Sequence, residues 1–308
     1  LRRAGHALAA TGGLAVCSAA RAHAGGGPPS WQLHWSFEPL VLVPIVLSAL
    51  LYALGLARLW REAGAGRGIT RAQALWFALG WLALVVALVS PLDPLGIELF
   101  SAHMLQHELL MVVVAPLMCL GRPLVAWTWA LPIAWRRRAG GWTQSPAWRA
   151  TWRGLTASLA SWSLHAVALW GWHVPALFEA ALHDNAVHTL QHLSFLGTAL
   201  LFWWAVLKPA PRAKQGGAML YLFTTMVHTG ALGALLALSP TLWYPSYQAS
   251  ASALGLDPLQ DQQLGGLVMW VPAGLAYVAA GLVLAMRWAG LFTPYRASAA
   301  APPVHTTI

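Results

Sequence analysis

Residues 101–123 read SAHMLQHELLMVVVAPLMCLGRP, a run long and apolar enough to cross a bilayer as one helix. Its first third nevertheless carries His103, His107 and Glu108. At about 1.5 Å of rise per residue, His103 and His107 lie roughly 6 Å apart on one helical face, with Met111 one turn further on. Two imidazoles and a thioether therefore look the same way. A carboxylate near the bilayer centre costs about 2.5–3.5 kcal/mol even on lenient insertion scales, so Glu108 has to face protein, water or a metal. The stretch reads as a site as well as a span.

The composition around it agrees. Of 308 residues, 58% are hydrophobic and 9% charged, against roughly a quarter charged in a soluble domain. An all-α integral membrane protein follows, and the 19 tryptophans suit its interfaces. Cys17 and Cys119 are the only cysteines, and Cys17 is expected to leave with a leader, so a disulfide or a multi-thiolate metal site is not available. A metal would have to be held by His, Met or carboxylate.

Residues 1–24 have Arg2 and Arg3, an apolar stretch from Ala7 to Ala20, and Ala22-His23-Ala24 at the end, the pattern of a cleavable signal peptide. A single membrane domain is expected over 25–296, followed by a small, polar, disordered cytoplasmic tail at 297–308. Seven runs have spanning length: 38–60, 72–91, 100–120, 154–173, 187–207, 218–238 and 264–288. The apolar segment 123–135 is too short and is expected on the inner surface or as a re-entrant piece.

The loops orient these seven spans. Arg58, Arg61, Arg67 and Arg71 fall between the first two, Arg122, Arg136, Arg137, Arg138, Arg149 and Arg153 between the third and fourth, and Lys208, Arg212 and Lys214 between the fifth and sixth. Arg287 and Arg296 follow the last. All lie on one side, which the positive-inside rule makes cytoplasmic, with the mature N-terminus outside and the C-terminus inside. The net charge of +9 is thus topogenic and does not call for nucleic acid. Opposite loops carry Asp93, Glu98, Glu179, Asp184, Asp257 and Asp261. The longest, 239–263, is expected to cap the outer mouth. No phosphate loop or nucleophile elbow is present, so phosphoryl and acyl transfer have no support.

With that topology the histidines gather in one layer. His103 and His107 lie in the outer half of span three, His173 at the outer end of span four, and His188 and His192, again i, i+4, at the outer start of span five. Two such pairs on neighbouring helices can offer up to four nitrogens to one ion at about 2.0–2.1 Å. Imidazole with thioether from Met111, Met104 or Met269, and without thiolate, favours copper. His165 and His228 are deeper and unpaired, equally suited to ligand or structural roles, whereas His34 and His183 read as loop residues. Glu108 and Asp261 are expected to order the ligands from outside the first coordination sphere.

The chain resembles the CtaG-type cytochrome c oxidase assembly factors. The matching pieces are His103-Met104-Leu105-Gln106-His107 with Pro116 and Gly121-Arg122-Pro123, then Trp172-His173-Val174-Pro175, then His188 through His192. Tyr244-Pro245 and Asp261-Gln262-Gln263-Leu264-Gly265-Gly266, leading into Met269-Trp270, complete them. The resemblance implies a polytopic assembly factor of the bacterial inner membrane that acts when a haem-copper oxidase receives copper. It points to His103, His107, His173, His188 and His192. Expected partners are oxidase subunits, a periplasmic copper carrier and membrane lipid, and no turnover chemistry is required. The alternatives are a membrane cytochrome with axial histidines and a copper transporter. A retinal pigment needs a lysine within a span, and Lys208 and Lys214 sit at a loop.

Overall fold

The computed structural model describes residues 34–208 and 212–291, so the expected leader at 1–24 and tail at 297–308 lie outside the described residues. The fold is 83% helix, with no strand among the described residues. In chain order the helices are α1 (Pro39–Ala63), α2 (Arg71–Leu88), α3 (Leu92–Glu98), α4 (Phe100–Glu108), a π-helical segment (Leu109–Val114), α5 (Ala115–Gly121), α6 (Pro123–Ala130), α7 (Ile133–Thr143), α8 (Pro146–Leu155), α9 (Ser158–Trp172), α10 (Pro175–His183), α11 (Asn185–Leu207), α12 (Arg212–Ala237), α13 (Tyr247–Ala253) and α14 (Pro258–Ala289). Among the described residues, six stretches are long and apolar enough to cross a membrane: Pro39–Ala63, Arg71–Leu88, Phe100–Gly121, Asn185–Leu207, Gly216–Ala237 and Pro258–Ala289.

The fourth expected run differs. Of 154–173, the first two residues end α8, and the continuous helix that follows is Ser158–Trp172, 15 residues or about 22 Å long, against roughly 30 Å of hydrocarbon. Its end is set by Val174-Pro175, because the residue before a proline is steered away from helical ψ, and Val174 is extended at ψ 125°. α9 still runs antiparallel to α11: His165 Nδ1 lies 3.1 Å from Thr198 Oγ1 and Trp172 Nε1 donates to Ser194 Oγ at 2.6 Å.

Phe100–Gly121 is one continuous helix with a widened turn in the middle. Pro116 has no N–H and its ring crowds the carbonyl four residues back, so the ladder shifts to i→i+5 over Leu109–Val114. A carbonyl in this turn finds a partner outside the helix: Trp203 Nε1 donates to Met111 O at 2.8 Å. The short segment after it, α6, packs on α1, where Trp127 Nε1 donates to Ser48 O at 3.0 Å.

α12 and α14 approach closely because glycines face each other. A Cβ on Gly266 would sit 2.4 Å from Ala237 N and 2.7 Å from Gly233 O, and one on Gly265 would sit 2.4 Å from Phe100 Cδ1. Backbone cannot give way as a side chain can. Gly266→Val is expected to cost at least about 2–3 kcal/mol of stability, read as a lowered thermal midpoint in detergent. Gly217→Val, with nothing within 4 Å of its Cβ, is the control; equal midpoints for the two variants would refute the close-packing account.

Candidate metal centre

Both helices that carry an i, i+4 histidine pair start on an aspartate carboxylate. α11 is capped locally, Asp184 accepting from Ala186 N at 2.8 Å and Val187 N at 3.0 Å. α4 is capped from a distance: Leu99 supplies no side-chain cap, and Asp261 of α14 accepts from Phe100 N at 2.7 Å, Ser101 N at 3.3 Å and Ser101 Oγ. Carboxylates at these positions satisfy orphan N–H groups and complement the helix dipole. The i, i+4 pairs then project from the first turns, and His173 joins them from the end of α9.

Five imidazoles meet. Ring centroids are 4.4 Å apart for His103 and His107, 4.2 Å for His188 and His192, 5.3 Å for His103 and His188, and 5.3 Å for His107 and His192. His173 lies 6.3 Å from His107. Phe178 closes one side, 5.1 Å from His103 and 6.2 Å from His173. Phe195 closes another, 4.6 Å from His107 and 6.1 Å from His173. His103, His107, His173 and His192 are buried and His188 is partly exposed.

Their nitrogens fit a metal ion. His103, His188 and His192 each offer a ligand atom within 4.8 Å of the others. A triangle with that edge has its centre about 2.8 Å from each corner, against roughly 2.0–2.1 Å for a metal–imidazole bond, so closure by about 0.7 Å makes a three-coordinate site. Among the described residues, Nε2 of His103, His173, His188 and His192 and both ring nitrogens of His107 are buried with no hydrogen-bond partner. Leaving one such group unpaired costs about 1–3 kcal/mol. A cluster of them suits an ion that takes their lone pairs.

Hydrogen bonds on the far side of two rings set their tautomers. His103 Nδ1 is 3.1 Å from Gly96 O, and His173 Nδ1 is 2.7 Å from Leu169 O. A carbonyl only accepts, so each Nδ1 carries the proton and each Nε2 presents its lone pair. Tyr247, on the helix α13 that caps the cluster, donates to Gly96 O at 3.0 Å and lies 3.0 Å from His103 Nδ1. Burial, and then the charge of Asp261, pushes the Tyr247 hydroxyl well above its usual titration range, so it stays a donor. Tyr244 ties the same cap down by donating to His173 O at 2.9 Å. Tyr247→Phe is expected to weaken metal binding about tenfold, the lower end for loss of an outer-sphere partner, in competition against a chelator. Unchanged affinity would show that Gly96 alone orients His103.

The other expected residues have different surroundings. Met111 sits in the π-helical turn, buried among apolar side chains. Glu108 is 6% exposed and its Oε2 has no partner. Asp261 bonds to the backbone and hydroxyl at the start of α4, so it orders His103 through its helix and not through its ring. His165 packs on Phe202 and His228 on Trp162, away from the five-ring group. Tyr247, Phe178 and Phe195 carry no local signal in the sequence that marks them as neighbours of the histidines.

A family model described as cytochrome c oxidase caa3 assembly factor matches residues 50–290. Curated relatives include uncharacterized proteins of Mycobacterium bovis and Mycobacterium tuberculosis, each 26% identical over 263 residues, and one of Mycobacterium leprae, 25% identical over 267. These matches cover 83% of the chain but 39% of each relative, so the chain spans well under half of their length. No solved structure matches the chain.

Proposed function

The chain belongs to the cytochrome c oxidase caa3 assembly factor family, and from that premise we propose that its histidine cluster binds copper and passes it to a haem-copper oxidase under assembly. The observation that carries the proposal is the meeting of five imidazoles whose inward nitrogens lack partners. Imidazole without thiolate suits copper in either oxidation state. The protein acts as a carrier, an assembly factor rather than an enzyme. Copper is its cargo.

On this reading the chain crosses the membrane seven times. α9 is short, but its antiparallel course beside α11 carries the chain from the basic segment 122–153 to the histidine end, so the basic loops all fall on the cytoplasmic side. The cluster then faces the outside of the bacterial inner membrane, where a periplasmic carrier can supply it and oxidase subunits can receive from it. A membrane cytochrome fits the cluster less well, because neighbouring rings 4.2–6.3 Å apart leave no flat slot between them as wide as a porphyrin.

The test is the metal content of the detergent-purified protein after loading with Cu(I) under reducing conditions, with an absorption spectrum of the purified protein before loading. Stoichiometric copper without a Soret band is expected. A Soret band, or no copper at all, sinks the proposal.

A further inference from the structure

A cavity of about 650 Å³ lies between α1 and α2 on one side and α11 on the other, and two of the three grouped histidines, His188 and His192, line it. Most of its wall is apolar. Its polar rim at the histidine end consists of Ser36, Glu38, Asp93, Asn185 and Thr189, and no lysine or arginine is among the described residues lining it. Glu38 and Asn185 are exposed there. We infer that this rim is the port through which a soft monovalent cation reaches and leaves the three-histidine group, with Asp93 as the carboxylate that holds it in passing. The inference rests on the copper reading above and adds a route to it.

Asp93 is placed for that task. It accepts from Ser36 Oγ at 2.6 Å and from Gln106 Nε2 at 2.9 Å, both neutral donors, and it has no ion-pair partner among the described residues. Its charge is therefore held in position but not cancelled. Gln106 lies between His103 and His107 on α4, and Asp93 lines the same cavity as His188. At the inner side of the port, His192 is 8% exposed and its Nε2 has no partner. A hard carboxylate binds a soft cation weakly, so it attracts the ion and yields it to imidazole. Low-dielectric walls concentrate the field of Asp93 and Glu38 at the rim.

Three variants of the full chain in detergent test the port, with Cu(I) supplied from a weak chelator under reducing conditions. The pair Asp93→Asn with Glu38→Gln keeps shape and removes charge. It is expected to load about tenfold more slowly at low salt, with the gap narrowing at high salt and the final copper-to-protein ratio unchanged. Thr189→Trp, a plug on the rim, is expected to slow both loading and removal by a strong chelator. His192→Ala is expected to lower the ratio itself. Loading as fast in the charge and plug variants as in the unaltered protein overturns the port and leaves the histidine site standing. A lower final ratio in the charge variant overturns the passing role, because Asp93 would then be a resident ligand. No copper in the unaltered protein overturns the port together with the site.

Discussion

The double substitution His103→Ala, His107→Ala is expected to lower copper affinity by at least about 100-fold and to leave the oxidase without copper in cells. Loss of an outer-sphere partner alone costs roughly 10–100-fold, and this variant removes one member of the three-histidine group with the ring that adjoins it at 4.4 Å. Stability separates a metal site from a packed core. Both rings are about 1% exposed, so their truncation opens a cavity that destabilises. It also removes three ring nitrogens that are buried without partners, which offsets part of that cost. The metal-free variant should therefore melt close to the metal-free parent, within a few degrees. Copper should raise the melting point of the parent and not of the variant, since a ligand stabilises only what it binds. A large drop in the metal-free protein, with the copper-induced rise retained, would make the two histidines structural.

The sequence was a good guide to features that depend on local pattern. Apolar runs and basic loops place the long helices, and the i, i+4 spacing of His103 with His107 and of His188 with His192 places each pair on one face, because helical period is a local property. The widened turn at Leu109–Val114 was harder to foresee. Pro116 announces a disturbance, but whether the ladder breaks, kinks or widens depends on a partner for the freed carbonyl, and Trp203 lies 92 residues away. The same limit hides Tyr247, 144 residues from His103, and Asp93, whose bond to Gln106 appears only once α3 folds back on α4. Asp261 was legible as a polar residue near the site and illegible as the cap of another helix.

Asp261→Ala is expected to destabilise the protein by about 3–5 kcal/mol and to weaken copper binding although no ligand is removed. The carboxylate is 3% exposed and serves two backbone N–H groups and one hydroxyl at the start of α4. The first N–H groups of any helix lack partners within it, and here the preceding residue, Leu99, is apolar and offers none. Each buried donor left unpaired costs about 1–3 kcal/mol, and the favourable interaction of the carboxylate with the helix dipole is lost as well. Fraying of that first turn reaches His103, which is three residues beyond Phe100, and loosens the ring that Gly96 and Tyr247 orient. Asp261→Asn keeps the size but turns an NH2 toward N–H donors, so it should fall nearer to alanine than to the parent. Asp184→Ala on α11 removes a local, exposed cap and should cost only about 1 kcal/mol. Thermal unfolding in detergent orders the three variants, and hydrogen exchange at residues 100–104 locates the fraying. An Asp261→Ala protein with the parent's melting point and protected amides at Phe100 and Ser101 would mean that α4 holds its start without the carboxylate, and the link from α14 to the copper site would be lost.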